Sequence, residues 1–417
     1  MKFHFVLVWL MAVLVFMIDT FLLWRWRKSV FFENVTAKVI AFFLFAVMPV
    51  TSIFGFIYIG LRVPATTSSQ IYIDFGWFLL LFLMIYSAKL FYSTFNGLQL
   101  IADRIVRKRQ EDKVRYYPKI TRRKFLSQMG IIMATAPFIS LLFGALHGRF
   151  AFYTRNISLS FPNLPEGFDG IRIVQISDLH LGSFGGNREP VKEAVKLIND
   201  AKPDMILFTG DLVNNFAEEV NGWESIFAEL KAPMGKYSIL GNHDYGNYSR
   251  WSSNAEKQIN FEGIVEGHKK IGFTLLRNES TLINRNGDTI GLGGVENWGT
   301  DSQPRKGDLD LASSGLQNQS FNLLMSHDPD HWDKKILPHN FFDLTLAGHT
   351  HGMQFGIERG DFKWSPAQYV QKRWAGLYRE GEKFLYVNRG LGYHGLPARV
   401  GMPPEITLIE LKKGSIA

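Results

Sequence analysis

Five short segments after residue 170 each place polar side chains of metal-binding type at the end of an apolar, strand-like run. Their carboxylate, amide and imidazole groups suit ions such as Mn²⁺, Zn²⁺ or Fe²⁺ and leave coordination positions open to water. Ligands that follow strands can converge on one edge of an open α/β sheet. The pattern therefore predicts a site for two divalent ions, which needs one carboxylate that reaches both. The segments are IVQISDLH (173–180), ILFTGD (206–211), ILGNHD (239–244), LLMSH (323–327) and LTLAGHTH (344–351).

The order of these segments resembles the calcineurin-like metallophosphoesterases, whose motifs are Asp-x-His, Gly-Asp, Gly-Asn-His-Asp/Glu, His and Gly-His-x-His. Every motif is present, and the resemblance covers roughly residues 151–417. Within that family, the chain is most similar to a membrane-attached bacterial branch, through SDLHLG at 177–182, GHTHG at 348–352 and PPEI at 403–406. The resemblance implies a hydrolase that acts on phosphoric ester bonds.

The resemblance also implies which residues hold the two divalent ions, expected to be Mn, Zn, Fe or similar. Asp211 is expected to contact both ions, and a hydroxide shared by them is expected to attack phosphorus. The expected ligands of the first ion are Asp178, His180, Asp211 and His351, and those of the second are Asp211, Asn242, His327 and His349.

Several residues outside the ligand set are expected to act on the substrate. His243 is interpreted as the general acid on the leaving oxygen, with Asp244 orienting its ring. An alternative is that Asp244 only caps a turn. The closing segment of the branch is expected to bring Asn388, Arg389 and His394 near the mouth of the site, where Arg389 would pair with a phosphate oxygen or form a structural ion pair.

One departure from the branch pattern lies beside the expected ligands. Met353 occupies a position where a second glycine normally follows His351 and Gly352. A thioether there would narrow the substrate pocket or make it more apolar. We therefore expect metal binding to be unaffected and the choice of substrate to differ.

Strands that alternate with helical segments predict the fold of residues 151–417. Apolar residues recur at helical spacing in 188–202, 219–231 and 254–270, and such alternation favours parallel strand pairing. The dipeptide Asn286-Gly287 predicts a hairpin, which makes the second sheet mixed. Together with the resemblance, these features predict an α/β domain of two mixed β-sheets between helical layers.

The first 150 residues have the composition of a membrane region. Apolar runs at roughly 5–24, 39–61, 75–92 and 125–147 predict four transmembrane helices, because each can cross a hydrocarbon layer of ~30 Å. Arg25, Arg27 and Lys28 follow the first run, which is not the pattern of a cleaved signal peptide. Asp19 lies within that run, near its end, and is interpreted as a structural residue that Thr20 or water satisfies, with a functional role as the alternative.

Basic residues in short loops predict the orientation, since such loops prefer the cytoplasm. Four lie between the first two runs, only Arg62 between the second and third, and ten between the third and fourth. The sequence TRRKFL at 121–126 also resembles a twin-arginine export motif, with a simple topogenic cluster as the alternative. Both interpretations place the catalytic domain outside the cytoplasm, on a bacterial inner membrane that the chain crosses several times.

The charge of the chain is divided unevenly between its two parts. Residues 1–150 hold 18 of the 46 Lys and Arg but only 6 of the 38 Asp and Glu, so the remaining 28 and 32 leave residues 151–417 at −4. The net charge of +8 therefore belongs to the membrane region and does not indicate nucleic-acid binding. The absence of cysteine excludes disulfides, a thiolate metal site and a cysteine nucleophile.

A tethered two-metal site outside the cytoplasm suggests a phosphorylated substrate that is lipid-linked or belongs to the cell envelope. One alternative is a UDP-diacylglucosamine-type pyrophosphatase of lipid A synthesis, which requires the opposite topology. Another is a non-catalytic metal-binding sensor or scaffold, although intact ligand motifs argue against loss of catalysis. The expected partners are the substrate, the membrane and, through the twin-arginine motif, an export machinery.

Overall fold

The computed structural model describes residue 13 and residues 15–24, 47–62, 69–110, 119–299, 305–360 and 362–415. The chain divides into two compact units: residues 1–65 with 74–143, and residues 66–73 with 144–417. The first halves of the predicted spans 5–24 and 39–61 lie largely outside the described residues.

The membrane region is helical wherever it is described. Two helical segments, Gln70–Phe95 and Ile132–Phe150, are long and apolar enough to cross a membrane. The helix that contains the predicted span 75–92 has 42 residues and extends beyond that span at both ends. The sequence 121–126 lies in the first turns of the helix that contains the predicted span 125–147. The helices are Val15–Trp24, Met48–Arg62, Ser69–Gln110 and Lys119–Leu146.

Asp19 has protein partners in the membrane region. Its carboxylate accepts a hydrogen bond from Lys89 Nζ at 2.7 Å and another from the Tyr86 hydroxyl at 3.1 Å. Asp19 and Lys89 are both buried, and a paired charge costs far less in an apolar interior than a single one. These contacts agree with the structural interpretation of Asp19, and its protein partners come from a distant helix rather than from Thr20.

The catalytic domain contains two six-stranded sheets and one separate hairpin. The first sheet has the order β1-β14-β2-β3-β4-β5, the second has the order β12-β13-β9-β8-β7-β6, and β10 pairs with β11. The strands are β1 Tyr153–Phe161, β2 Ile171–Ile176, β3 Met205–Phe208, β4 Lys236–Ser238, β5 Thr274–Leu275, β6 Glu279–Arg285, β7 Asp288–Gly294, β8 Asn322–Met325, β9 Leu344–Ala347, β10 Ile357–Arg359, β11 Phe362–Trp364, β12 Gly376–Glu380, β13 Lys383–Val387 and β14 Glu405–Lys413.

Both sheets are mixed, as predicted. In the first sheet β2, β3, β4 and β5 are parallel, while β14 is antiparallel to β2. In the second sheet β7, β8, β9 and β13 are parallel, and antiparallel strands β6 and β12 lie at its two edges. The predicted hairpin is confirmed, because β6 and β7 pair across Asn286-Gly287. The carboxyl ends of the ligand-bearing strands therefore lie at one edge of each sheet.

The short helices and turns of the catalytic domain connect these strands. The helices predicted at 188–202 and 254–270 are present, but 219–231 contains only a 3₁₀ turn and one short helix. The helices are Glu189–Asp200, Glu224–Phe227, Asn254–Lys270, Leu309–Ser313, the π-helical turn Trp332–Ile336 and Leu337–His339, and the 3₁₀ turns are Gly148–Phe150, Glu166–Phe168, Leu181–Phe184, Ala217–Val220, His243–Tyr245, His351–Gln354 and Pro366–Tyr369.

Apolar residues divide between the two faces of each sheet. In β2, Val174 and Ile176 pack with buried residues of the helix Glu189–Asp200, whereas Ile173 points into the layer between the sheets. That layer contains side chains from both sheets, and a third cluster covers the outer face of the second sheet. The central strands of both sheets thus have an apolar layer on each face, and the two sheets are held face to face.

Candidate metal centre

The seven predicted ligands gather where five parallel strands end. Asp178 and His180 follow β2, Asp211 follows β3 and Asn242 follows β4 in the first sheet. His327 follows β8, and His349 and His351 follow β9 in the second sheet. All except His349 are buried. Convergence of strand ends, which the sequence only suggested, is therefore present in the structure.

One group of ligands surrounds the end of β2. Nε2 of His351 lies 3.2 Å from Oδ1 of Asp178 and 3.1 Å from Nε2 of His180. Nε2 of His180 lies 3.6 Å from Oδ2 of Asp211. The other nitrogen of His180, Nδ1, is buried without a hydrogen-bond partner among the described residues. The atoms of Asp178, His180 and His351 are close enough to share one ion.

A second group lies on the other side of Asp211. Nε2 of His327 is 3.2 Å from Oδ2 of Asp211 and 3.1 Å from Oδ1 of Asn242, and that amide oxygen is 2.7 Å from Nδ1 of His349. Nδ1 of His327 donates to the Thr209 carbonyl at 2.7 Å, which leaves Nε2 for the site. The same oxygen of Asp211 therefore faces both groups.

The backbone at these ligands is unusual. Positive φ is uncommon outside glycine, yet Asp178 has φ 52°, His180 45°, Asp211 60°, His349 74° and His351 50°. Such conformations each cost about 1–3 kcal/mol and persist only where the surrounding structure imposes them. Five of the seven predicted ligands thus have strained backbone conformations, which lower the stability of the fold and direct the side chains inward.

Glycines allow the ligand loops to approach one another. A Cβ on Gly210, whose φ is 96°, would lie 2.6 Å from the backbone nitrogen of Gly241. A Cβ on Gly241 would collide with the carboxylate of Asp211. The glycine that precedes each of these two ligand motifs is therefore required by packing and not only by the turn.

The electrostatics of the site favour bound cations. Burial raises the pKa of Asp211, but His327 and His243 outweigh it and hold that pKa well below its usual range. Burial lowers the pKa of His327, yet Asp211 and Asp178 raise it to about 10. Burial also lowers the pKa of His180 and of His349, which keeps both rings neutral and able to coordinate. Ionised Asp211 beside the neutral rings of His180 and His349 fits divalent ions, whereas His327 must release a proton before its Nε2 can bind one.

His243 lies beside the ligands with its ring orientation fixed. Its Nδ1 donates to the carbonyl of Asn214 at 2.7 Å, so that Nε2 is the atom that can exchange a proton. Its backbone nitrogen donates to Oδ1 of Asp211 at 2.9 Å. The ring of Tyr248 stacks on the His243 ring with centroids 4.4 Å apart. The imidazoles of His180, His243 and His394 are also close enough to share an ion, so the role of His243 on the substrate stays a prediction.

Asp244 does not have the role predicted for it. Its carboxylate accepts hydrogen bonds from the backbone nitrogens of Asp211, Leu212 and Gly241 at 2.8–3.0 Å, and it also receives a longer one from Val213. The carbonyl of Asn214 orients the His243 ring instead. The alternative of a capping residue is therefore correct, because Asp244 holds the two ligand loops together.

Two of the three predicted substrate-binding residues are structural. Nδ2 of Asn388 donates to the Thr407 hydroxyl at 2.9 Å, and Arg389 pairs with Glu358 at 2.6 Å. Both side chains are buried in these contacts, which favours a structural role for each over contact with substrate. For Arg389, the structural ion pair was the correct alternative.

His394 does lie at the site. Its ring centroid is 4.3 Å from that of His243 and 4.9 Å from that of His180. Nδ1 of His394 is 3.1 Å from Oδ1 of Asn214, so one asparagine holds both His243 and His394. A role for His394 in substrate binding stays a prediction.

Comparisons with known proteins agree with this geometry. Residues 171–353 match a family model described as calcineurin-like phosphoesterase. Residues 3–149 match one described as Probable Calcineurin-like phosphoesterase, transmembrane domain. The metallophosphoesterase YkuE of Bacillus subtilis is 34% identical over 306 residues, which cover 70% of this chain and 98% of YkuE. This chain belongs to the calcineurin-like metallophosphoesterases.

Two further relatives show how widely this architecture occurs. The phosphodiesterase YaeI of Escherichia coli is 29% identical over 305 residues, which cover 70% of this chain and 99% of YaeI. The transmembrane protein with metallophosphoesterase domain of Danio rerio is 29% identical over 266 residues, which cover 62% of this chain and 57% of that protein. The present metallophosphoesterase is accordingly a hydrolase of phosphoric esters and a membrane protein.

This metallophosphoesterase also uses residues that sequence reasoning missed. Asn214, three positions after Asp211, holds two histidines, and its place soon after a ligand motif was an available signal. The Tyr248 hydroxyl accepts from Nδ2 of Asn242 at 2.7 Å. Buried Arg399 donates to the Gly392 carbonyl and lies 3.2 Å from Nδ1 of His351. No spacing pattern in the sequence identifies the last two.

Glu219 stabilises the loop that carries Asn214. Its buried carboxylate accepts hydrogen bonds from the backbone nitrogens of Gly182, Asn214, Asn215 and Phe216. Burial raises the pKa of Glu219 to about 7, against these four donors, which lower it. The protonated form is therefore favoured in the folded state relative to the unfolded chain.

A pH dependence of stability follows from this buried carboxyl group. The folded pKa of Glu219 exceeds its unfolded value of 4.5. The contribution of this group to the free energy of unfolding is therefore fully present below about pH 4.5 and is lost as the pH rises to about 7. We expect the melting temperature of the native chain to fall between pH 5 and 8 more steeply than that of Glu219→Gln. The measurement is a pair of melting curves in detergent, compared by slope because the amide adds a constant cost. Parallel slopes would contradict this account.

Proposed function

We propose that this membrane-anchored metallophosphoesterase hydrolyses phosphate esters of a lipid or cell-envelope substrate on the extracytoplasmic face. The observation that carries the proposal is the position of Oδ2 of Asp211, 3.6 Å from His180 and 3.2 Å from His327. This oxygen lies between the two groups of ligands, which supports one dinuclear site. A non-catalytic metal-binding scaffold would not need an ordered His243 beside that site.

Two divalent ions held by these groups would activate water and neutralise the charge that develops on the phosphoryl oxygens. The chain itself contributes three further functions. Asp178 and Asp211 supply the negative charge that retains cations, and the buried walls exclude bulk water. His243, oriented by Asn214, presents Nε2 to a leaving oxygen and donates a proton there.

The proposed location rests on the distribution of basic residues. Arg25, Arg27, Lys28 and the ten basic residues in 104–124 favour a cytoplasmic position for two loops. One further crossing, the predicted span 125–147, then puts residues 151–417 outside the cytoplasm of a bacterial inner membrane. The motif at 121–126 supports export of the domain by the twin-arginine machinery.

The chemistry can be tested on the purified full chain. It is loaded with Mn²⁺, Zn²⁺ or Mg²⁺ and assayed with bis-p-nitrophenyl phosphate, p-nitrophenyl phosphate, soluble nucleotides and extracted phospholipids. We expect metal-dependent release of phosphate or of alcohol, with phospholipid among the substrates. Activity restricted to soluble nucleotides would contradict a lipid or envelope substrate, whereas inactivity on every ester would favour the scaffold.

The orientation can be tested with single cysteines, because the native chain has none. Ile259, 70% exposed in the helix Asn254–Lys270, is replaced by cysteine and treated in intact spheroplasts with a membrane-impermeant maleimide. Lys113→Cys, in the basic loop, serves as the control. We expect Ile259→Cys to react at once and Lys113→Cys only after permeabilisation. The reverse pattern would favour the pyrophosphatase of lipid A synthesis.

A further inference from the structure

A small apolar projection follows the last metal ligand in the chain. It begins at the end of the turn His351–Gln354 and includes the hairpin β10–β11 and the turn Pro366–Tyr369. We call residues 353–370 the apolar hairpin segment. The hairpin is not part of either six-stranded sheet. The segment therefore extends from the metal centre without being needed for the sandwich.

Exposed apolar side chains are concentrated in this segment. Twelve large hydrophobic residues are exposed among the described residues between 151 and 417, and half of them lie within these 18 positions. A concentration of exposed apolar side chains in one short segment is typical of an interaction site. The six are Met353 at 45%, Phe355 at 42%, Ile357 at 56%, Phe362 at 61%, Tyr369 at 76% and Val370 at 70% exposed.

The polarity of the hairpin is inverted relative to one that faces water. Cross-strand partners share a face, so the pairs Ile357 with Trp364 and Arg359 with Phe362 form the outer face. Glu358 and Lys363 lie on the opposite face. A hairpin in water shows apolar residues inward and charged residues outward, and this one does the reverse.

The inward charges have protein partners. Glu358 pairs with Arg155 at 2.6 Å and with Arg389 at 2.6 Å. Lys363 Nζ donates to the Ala375 carbonyl at 2.6 Å. The Glu358 side chain is 23% exposed in these pairs and Lys363 is half-buried, so both charged groups turn toward the domain. The inward face is thus adapted to burial, and the outer face is adapted to an apolar surrounding.

The segment is firmly attached to the metal centre. The backbone nitrogen of Gly356 donates to the Val400 carbonyl at 2.9 Å, and the Ser365 hydroxyl donates to the Gly352 carbonyl at 2.7 Å. The Gln354 side chain donates to two carbonyls of residues 396–398. A partner surface bound to the outer face would therefore lie at a fixed distance from His351.

We propose that the apolar hairpin segment inserts its outer face into the headgroup and acyl boundary of an anionic phospholipid bilayer. The chain is a membrane protein, so the domain is tethered to a bilayer at all times. The outer face combines aromatic and aliphatic residues with the exposed Arg359, which can pair with anionic headgroups, and Asp361 of the hairpin lies outside the described residues. Such surfaces are buried about 5–10 Å into the interface.

Insertion would bring lipid headgroups to the ligands that follow β9. This consequence rests on the proposed function, since it makes the bilayer both the anchor and the source of the phosphoester. The insertion itself does not depend on turnover and can be measured without it.

Spin labels on the full chain test the insertion. Single cysteines at Ile357, Phe362 and Tyr369 are labelled, and the chain is reconstituted in phosphatidylcholine vesicles with or without phosphatidylglycerol. Ile259→Cys, an exposed apolar position on a helix, is the matched control. We expect oxygen, which concentrates in the bilayer, to relax the three labels more than a soluble nickel chelate does. The ratio of the two effects should increase with phosphatidylglycerol. The control label should be relaxed more by the nickel chelate, because it stays in water.

Two outcomes would overturn the proposal. Aqueous accessibility at all three labels would show that water covers the outer face. Spin broadening that disappears on dilution with unlabelled chain would show that a second copy covers it. Neither result bears on hydrolysis of soluble esters, so a failure of insertion is distinguishable from a failure of the proposed function.

The double variant Ile357→Ser with Phe362→Ser tests the link to substrate, with Ile259→Ser as the control. We expect the kcat/KM on vesicle phospholipid to fall about tenfold and that on bis-p-nitrophenyl phosphate to change by less than about twofold. An equal loss on both substrates would indicate a disturbed metal centre and would contradict a docking role.

Discussion

Replacing Asp211 by asparagine is expected to lower kcat/KM by at least about 10³-fold and to reduce the bound metal to less than one ion per chain. Oδ2 of Asp211 faces His180 and His327, while Oδ1 accepts a hydrogen bond from the backbone nitrogen of His243. The amide removes a negative charge that both ligand groups share. It also places either a nitrogen or a weaker acceptor where an ionised oxygen is needed.

The measurement is metal content by mass spectrometry beside activity and melting temperature. Asp333→Asn is the matched control, since that carboxylate pairs with Lys372 and Arg373 at 2.9–3.3 Å away from the ligands. We expect this control to keep both ions and to change kcat/KM by less than about twofold. An Asp211→Asn chain that retained two ions and native turnover would show that the shared carboxylate is not what binds the metals.

The ligand set could be predicted from sequence because each ligand is tied to a strand end. Asp178, Asp211 and His327 each follow a short apolar run, and parallel strands bring such ends to a common edge. The positive φ values of these loops could not be predicted. They arise only when two sheets and five loops meet in one place, and no single segment of sequence contains that information.

The errors share one physical cause, namely long-range satisfaction of buried polar groups. Asp244 follows His243 in sequence, which suggested a contact between them, but four backbone nitrogens of the ligand loops compete for its carboxylate. Arg389 suggested a phosphate contact, but Glu358 neutralises it from the hairpin β10–β11. Glu219 lies in an apparent helical period, yet it turns inward to hold the backbone at 214–216.

The membrane region shows the same limit. The apolar runs predicted helices, because length and hydropathy alone define a span. The partner of Asp19 could not be predicted, since Lys89 lies 70 positions further along the chain. Ion pairs within a membrane region depend on helix packing, which composition does not encode.

Replacing His243 by asparagine is expected to lower kcat by about 10²–10⁴-fold while both metal ions remain bound. Burial lowers the pKa of His243, while Asp211 and the Asn214 carbonyl oppose that shift. An anionic substrate beside the ring would favour its protonated form, and we expect Nε2 to pass that proton to the leaving oxygen. Removing the ring removes this proton donor but none of the seven predicted ligands.

Two substrates that differ in their leaving group separate proton donation from binding. An alkyl phosphoester needs the proton because its alkoxide is a poor leaving group, whereas p-nitrophenolate leaves without one. We therefore expect His243→Asn to lose far more activity on the alkyl ester, and the control His339→Asn, which removes an exposed pair with Asp310, to lose none. Equal losses on both esters would assign His243 to substrate binding. The Asn214 carbonyl orients the His243 ring whether the ring donates a proton or only binds substrate. The dependence of the rate on the leaving group is therefore the measurement that distinguishes the two roles.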